Sequence, residues 1–207
     1  LDRVVEGSDP VLNSEAVLLS AHWDHLGVGQ AVTGDSIYNG ALDNSTGCAL
    51  LIEMARAWAA MNPKPRRTAI FSAVTAEESG LLGSQYLAEH PPVPAAKVRA
   101  TLNFDTYSPF GMVRDAVLLG YERTPHRAIV DNVAQRFQLT LKPDPRPEAG
   151  SYFRSDHFSF AKVGIPSFSV NMGSDYIGKT PDQVAEIRKR YSAVYHQPAD
   201  QYADSWQ

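Results

Sequence analysis

Cysteine is nearly absent: Cys48 is the only one in 207 residues. No intrachain disulfide can form and a thiolate-rich metal site is excluded, so any metal must be held by His, Asp and Glu. Long apolar runs are missing as well. Nothing approaches the roughly 20 residues that cross a bilayer, and Leu1-Asp-Arg-Val-Val-Glu6 lacks the pattern of a signal peptide. Nor is there an excess of positive charge: 19 Lys and Arg stand against 23 Asp and Glu, for a formal net charge of -4. That balance gives no electrostatic ground for nucleic acid or an anionic membrane as partner. What is present is ordinary for a globular chain, 43% hydrophobic and 20% charged, and suffices for one hydrophobic core. We expect one domain over residues 1–207, without a membrane span.

Apolar runs that stop abruptly at chemistry-bearing residues organise the rest. Thr68-Ala-Ile-Phe-Ser-Ala-Val74 predicts a buried strand, and Glu77-Glu78-Ser79-Gly80 follows it. On its own, that acid pair reads as a helix N-terminus favoured by the helix dipole. Ala16-Val-Leu-Leu-Ser20 predicts a second strand, which runs into Ala21-His22-Trp23-Asp24-His25. Residues 27–42 are Gly-rich without a helical or strand period, which predicts a long surface loop ending at Asp43. Asn44 and Ser45 then offer cap oxygens to a helix reaching about Met61, with Cys48, Leu51, Ile52, Ala55 and Trp58 on its apolar face.

Further along, residues 81–89 predict a short helix, and 100–104 a strand that ends on Asp105. Residues 116–120 predict another strand, and Thr124-Pro125 opens a helix to about Phe137. Residues 142–150 read as a Pro-rich loop. Ser155 reads as the cap of a short helix that Gly164 ends, 165–170 as a strand, and 181–195 as a helix before the turn His196-Gln-Pro-Ala-Asp200.

Strands that alternate with helices and are apolar almost throughout predict an α/β fold, with a mostly parallel central sheet covered by helices on both faces. Ligands of such sheets bind beyond the carboxyl ends of the strands. His22, Glu77, Glu78 and Asp105 each follow a strand, so the architecture gathers them on one rim. With Asp43 and His196 they form a donor set of imidazoles and carboxylates suited to zinc, manganese or cobalt. If each of two ions takes one His and one carboxylate, a third carboxylate is left to bridge them. Glu77 is then free to act as a base for metal-assisted hydrolysis.

Six blocks carry a further signal: Ala21-His22-Trp23-Asp24-His25, Asn39-Gly-Ala-Leu-Asp43-Asn44-Ser-Thr-Gly47, Glu77-Glu78-Ser-Gly-Leu-Leu-Gly83-Ser84, Asn103-Phe-Asp105, Ser155-Asp-His157 and Tyr195-His196-Gln-Pro-Ala-Asp200. In this order they resemble the M28 family of zinc-dependent peptidases. The resemblance implies a phosphorylase/hydrolase-like aminopeptidase fold and a centre of two Zn2+, for which Mn2+ or Co2+ are possible substitutes. It assigns His22 and Asp105 to one zinc, Glu78 and His196 to the other, and Asp43 to the bridge, with Glu77 as general base. It also implies that Asp24 hydrogen-bonds the His22 ring, that the peptide between Asp43 and Asn44 is cis, and that the Tyr152 hydroxyl stabilises a tetrahedral oxyanion. The expected substrate is a peptide, and the expected location is secreted or periplasmic. Leu42 departs from the pattern, since the residue before the bridging aspartate is often acidic. The chain also reads as trimmed at both ends relative to family catalytic domains.

The remaining histidines and aromatics take plainer roles. His25, His90 and His126 are given no function, since nothing pairs them with further ligands. Asp156 is read as support for the site, and Cys48, Trp58, Phe71, Phe104, Phe158 and Phe160 as core. Two rival functions fit the same motifs: a different specificity on the same centre, such as carboxypeptidase, dipeptidase or glutaminyl cyclase, and a non-catalytic domain that kept the fold.

Overall fold

A computed structural model describes residues 2–203 and Trp206. Seven strands form the central sheet: β1 (Asp2–Val5), β2 (Ala16–His22), β5 (Thr68–Val74), β6 (Val98–Phe104), β7 (Asp115–Leu119), β8 (Thr140–Lys142) and β9 (Ser167–Met172). Their spatial order is β1-β5-β2-β6-β9-β7-β8. Pairings of β2 with β5, β2 with β6, β6 with β9 and β7 with β8 are parallel, whereas β1 on β5 and β7 on β9 are antiparallel. The expected mostly parallel α/β sheet is therefore observed.

The near-continuous apolar strands are explained by two covered faces. Leu19, Ala21, Ala69, Phe71 and Phe104 join one buried cluster, and Ala16, Leu18, Ile70 and Val98 join another. Successive residues of one strand thus enter opposite layers. The first layer is closed by α1 (Thr46–Ala60) through Cys48, Leu51, Met54, Ala55 and Trp58. Ile52 is exposed rather than part of that face. The second layer is closed by α2 (Leu82–Glu89) and α4 (His157–Lys162), through Ala88 and the fully buried Phe160. Burying such a phenylalanine contributes on the order of 2 kcal/mol. Two more helices follow β7 and β9: α3 (Arg127–Arg136), and α5 (Pro181–Val194), which opens with a capping box between Thr180 and Gln183.

Two expectations are corrected. Residues 27–42 are not a featureless loop, because β3 (Gly27–Val32) and β4 (Asp35–Tyr38) pair as an antiparallel hairpin. Its turn is Thr33-Gly34, both with positive φ, the geometry that matches strand twist in a two-residue loop. β3 is exposed throughout and no residue of β4 is fully buried, so burial imposes no apolar alternation that a sequence pattern could show. The second correction concerns Ser155. Its hydroxyl does not cap α4; the helix begins without a side-chain cap, and the hydroxyl is used at the site described next.

Candidate metal centre

Strands β5, β2 and β6 lie side by side and parallel, so their carboxyl ends share one edge, where His22 pairs with Val74. His22 is the last residue of β2, and Asp105 directly follows β6. After β5 the chain turns tightly: the Glu77 carbonyl accepts from Gly80 N and Leu81 N at 3.0 Å each, and Thr75 O accepts from Gly83 N at 2.9 Å. A side chain at Gly83 would meet Thr75 O at 2.2 Å, so only glycine lets α2 start this close to the strand end. That turn presents Glu77 and Glu78 to the rim.

Asp43 comes from the segment between β4 and α1, where its peptide to Asn44 is cis, as expected. The buried carboxylate of Asp200 fixes this segment, accepting from Leu42 N at 2.8 Å and from Asp43 N at 3.1 Å. Asn44 joins it to the sheet edge, donating to Phe104 O and accepting from Gly47 N and Thr106 N, each at 3.0 Å. Leu42 is buried and engages Asp200 through its backbone, so an acid at that position is not needed to aim Asp43.

The side chains converge. His22 Nε2 lies 3.3 Å from Asp43 Oδ1 and 3.5 Å from Asp105 Oδ1. His196 Nε2 lies 3.3 Å from Asp43 Oδ2 and 3.3 Å from Glu78 Oε2. Asp43 thus turns one oxygen to each imidazole. Glu77 stands with His22 and Asp105 in one compact donor group, and His25, Asp43 and Glu78 form another.

The fit to a metal can be tested on these distances. Two ligands of a tetrahedral zinc, each about 2.0–2.1 Å from it, stand roughly 3.3 Å apart. The observed 3.3–3.5 Å spacings match that edge and exceed a good N–H···O hydrogen bond. His22 Nε2 is buried with no hydrogen-bond partner, an expensive arrangement unless a ligand completes it. Charge points the same way. Burial alone would lower the His22 pKa, yet the carboxylates of Asp105 and Asp43 raise it to about 12. The pocket is short of positive charge, and the donors fit zinc.

Glu77 behaves differently from its neighbour. Burial first, and then the nearby Asp105 carboxylate, push its pKa up to about 9. Glu78 is lowered instead, because His25 and His196 outweigh its burial. Asp105 is also lowered against its burial, by His22 and then by Ser155. Here the Ser155 hydroxyl finds its use, donating to Asp105 Oδ2 at 2.7 Å and accepting from Asn103 Nδ2 at 2.7 Å. Ser20 extends the chain by donating to Asn103 Oδ1 at 2.8 Å across β2 and β6.

Other expected residues sit nearby with altered detail. The Asp24 carboxylate is 3.7 Å from His22 Nδ1, and the nearer acceptor is Asp24's own carbonyl at 3.1 Å. Its carboxylate instead accepts from Glu78 N at 3.4 Å. The Tyr152 ring packs edge-on against Phe153, His157 and Phe158, with the Arg123 guanidinium 4.4 Å above it. Asp156 is fully buried behind the site, and burial lifts its carboxyl to about 7. Cys48 is a core neighbour whose thiol donates to His22 O at 3.1 Å.

Sequence reasoning missed three contributors. His25 packs against Glu78 and His196, and its position three residues after His22 was the available signal. Asp200 was visible only as part of a motif. Tyr195 stacks on the His196 ring at a centroid distance of 3.9 Å.

The profile of peptidase family M28 matches residues 4–207. The sequence is 29% identical over 173 residues to leupeptin-inactivating enzyme 1 of Streptomyces exfoliatus, covering 80% of this chain and 38% of that protein. It is 26% identical over 201 residues to an aminopeptidase of Pseudomonas aeruginosa, covering 92% of this chain and 35% of the relative. Among solved structures, the LapA aminopeptidase of Legionella pneumophila shares the fold with a TM-score of 0.65 at 19% identity, covering 97% of this chain and 52% of that one. The chain spans between about a third and a half of the length of these proteins.

Proposed function

The chain belongs to peptidase family M28, and on that premise we propose that it is an exopeptidase that removes N-terminal residues from peptides at a two-zinc centre. His22 and Asp105 hold one ion, His196 and Glu78 hold the other, and Asp43 bridges them. One observation carries this assignment: the two carboxylate oxygens of Asp43 each lie 3.3 Å from a different imidazole nitrogen. Zinc bound there would polarise the scissile carbonyl and acidify the attacking water.

The chain's own groups do the rest. Glu77, which stands beside His22 and Asp105 and is assigned to neither ion, takes a proton from the attacking water and returns it to the leaving amine. Asp24 holds the His22 ring by its carbonyl, which fixes Nδ1 as the protonated nitrogen and leaves Nε2 as the donor. The Tyr152 hydroxyl is our candidate oxyanion donor. As in the family resemblance, we place the protein outside the cytoplasm, secreted or periplasmic.

A panel of aminoacyl-coumarin amides and short peptides tests this, each with one terminus blocked, with and without chelator. Hydrolysis confined to free amino termini, abolished by chelator and restored by zinc, is the expected result. Cleavage of N-acetylated peptides from the carboxyl end would replace the aminopeptidase with a carboxypeptidase. Fewer than one bound transition metal per chain under zinc-replete conditions would favour a non-catalytic domain.

A further inference from the structure

We propose that His25 is a positioning residue for the His196 side of the centre, holding Glu78 Oε1 so that Oε2 is presented to the ion. This inference rests on the two-zinc reading. The His25 side chain is only 4% exposed, and its Nδ1 lies 2.9 Å from Glu78 Oε1. The other oxygen of the same carboxylate, Oε2, faces His196 Nε2 at 3.3 Å. Glu78 is therefore gripped on two sides by two imidazoles, with a different oxygen toward each.

The His25 ring stands edge-on to that of His196, with centroids 5.5 Å apart at 72°. Backbone makes the room for it. A Cβ at Gly40 would lie 2.6 Å from both Cβ and Cγ of His25, and Gly40 has φ of 65°. His25 is thus enclosed by the segment that delivers Asp43.

Its role follows from distances and unmet bonds. Both ring nitrogens of His25 and Glu78 Oε1 are buried without a hydrogen-bond partner, because the 2.9 Å approach is off the hydrogen-bond direction. A small ring rotation would make Nδ1–H a donor to Oε1 and satisfy both atoms. Direct ligation fits less well. A separation of 2.9 Å is shorter than the roughly 3.3 Å between two ligands of one tetrahedral zinc. A carboxylate held at one oxygen by a hydrogen bond is fixed in the one-oxygen ligating mode, as outer partners of metal ligands do.

The test uses zinc and cobalt as probes on the whole chain and on two variants, His25→Ala and His25→Asn. The Asn amide nitrogen occupies about the position of Nδ1 and donates a hydrogen bond, but it is a poor zinc ligand. Metal stoichiometry and both dissociation constants are read by competition with a chelator, and the ligand set by the visible absorption of the Co2+ form. Melting of the metal-free proteins checks that each variant folds.

The expected result is two ions in the unaltered chain, with the second weakened about 10- to 100-fold in His25→Ala. In His25→Asn the affinity should return to within a few-fold, with the cobalt spectrum unchanged. Equal affinity for both ions in His25→Ala and the unaltered chain would overturn the role of His25 and leave the two-zinc reading standing. An Asn variant as weak as Ala, with an altered cobalt spectrum, would overturn positioning in favour of direct ligation. An unaltered chain that takes up fewer than two ions overturns the two-zinc reading, and this inference with it.

Discussion

The two sides of the candidate centre are built to different standards. On one side, Asp105 leaves the end of β6 with both oxygens engaged, Oδ2 by Ser155 at 2.7 Å and Oδ1 by Thr106 at 3.2 Å. Behind Ser155 the hydrogen bonds run through Asn103 to Ser20, inside the sheet. On the other side, Glu78 sits in a turn with Oε1 near His25 but without a well-directed hydrogen bond, and its companion His196 is 32% exposed with φ of 54°. On the two-zinc reading the Asp105 side would be preorganised for its ion, whereas the Glu78 side would depend on His25 and on the ion for its final geometry. The difference teaches that one centre can combine a fixed half with an adaptable one, with Asp43 tying them together.

The largest expected effect comes from a residue assigned to neither ion. Glu77→Gln should lower kcat by about 1,000-fold while the zinc content stays at the unaltered value; steady-state kinetics beside elemental analysis checks it. Unchanged turnover would remove Glu77 as the base. Next is His196→Ala, which should lose one ion and keep the other, with affinity on the Asp105 side changed less than tenfold. If His196→Ala loses both ions together, the two sides are a single unit and the comparison breaks.

Ser155→Ala should act on the opposite side. It leaves Asp105 and Asn103 each short of a partner, so the ion at His22 and Asp105 should bind about tenfold more weakly. Stability should fall by about 1–2 kcal/mol, as read by denaturant unfolding of the metal-free chain. The smallest effect concerns protons. His157 is buried near Asp105, and burial, partly opposed by that carboxylate, lowers its pKa to about 4 from 6.5. Its folded pKa is depressed, so its contribution to stability is complete above pH 6.5 and is lost as the pH falls toward about 4. Melting temperatures at pH 7.5 and pH 4.5 should therefore differ less in His157→Gln than in the unaltered chain.

What was legible in the sequence follows from what burial forces. β2, β5 and β6 had to be apolar on both faces, so their runs and ends could be read closely, and with them the positions of His22, Glu77, Glu78 and Asp105. The hairpin could not be read, since it is held by its turn and by Tyr38, whose hydroxyl donates to Gln30 O at 2.9 Å, rather than by a buried face. Edge strands β1 and β8 are only four and three residues long, too short to show a period. Ser155 was misread because a serine before a helix is more often a cap than a distant partner, and the partner Asp105 is 50 residues away. His25 was missed for a related reason: its importance lies in Glu78 and His196, which only the fold brings to it.

The Asp200 carboxylate ends with a consequence for the order in which the protein is made. It fixes the backbone of Asp43 across a separation of 157 residues, and His196 lies on the same late turn. During synthesis, the strands that end at or just before His22, Glu78 and Asp105 emerge and can pair well before Asp200, which fixes the Asp43 backbone, and before His196. On the two-zinc reading, uptake of both ions would then be a late event, and a chain cut before His196 should retain the parallel strands yet hold at most one ion.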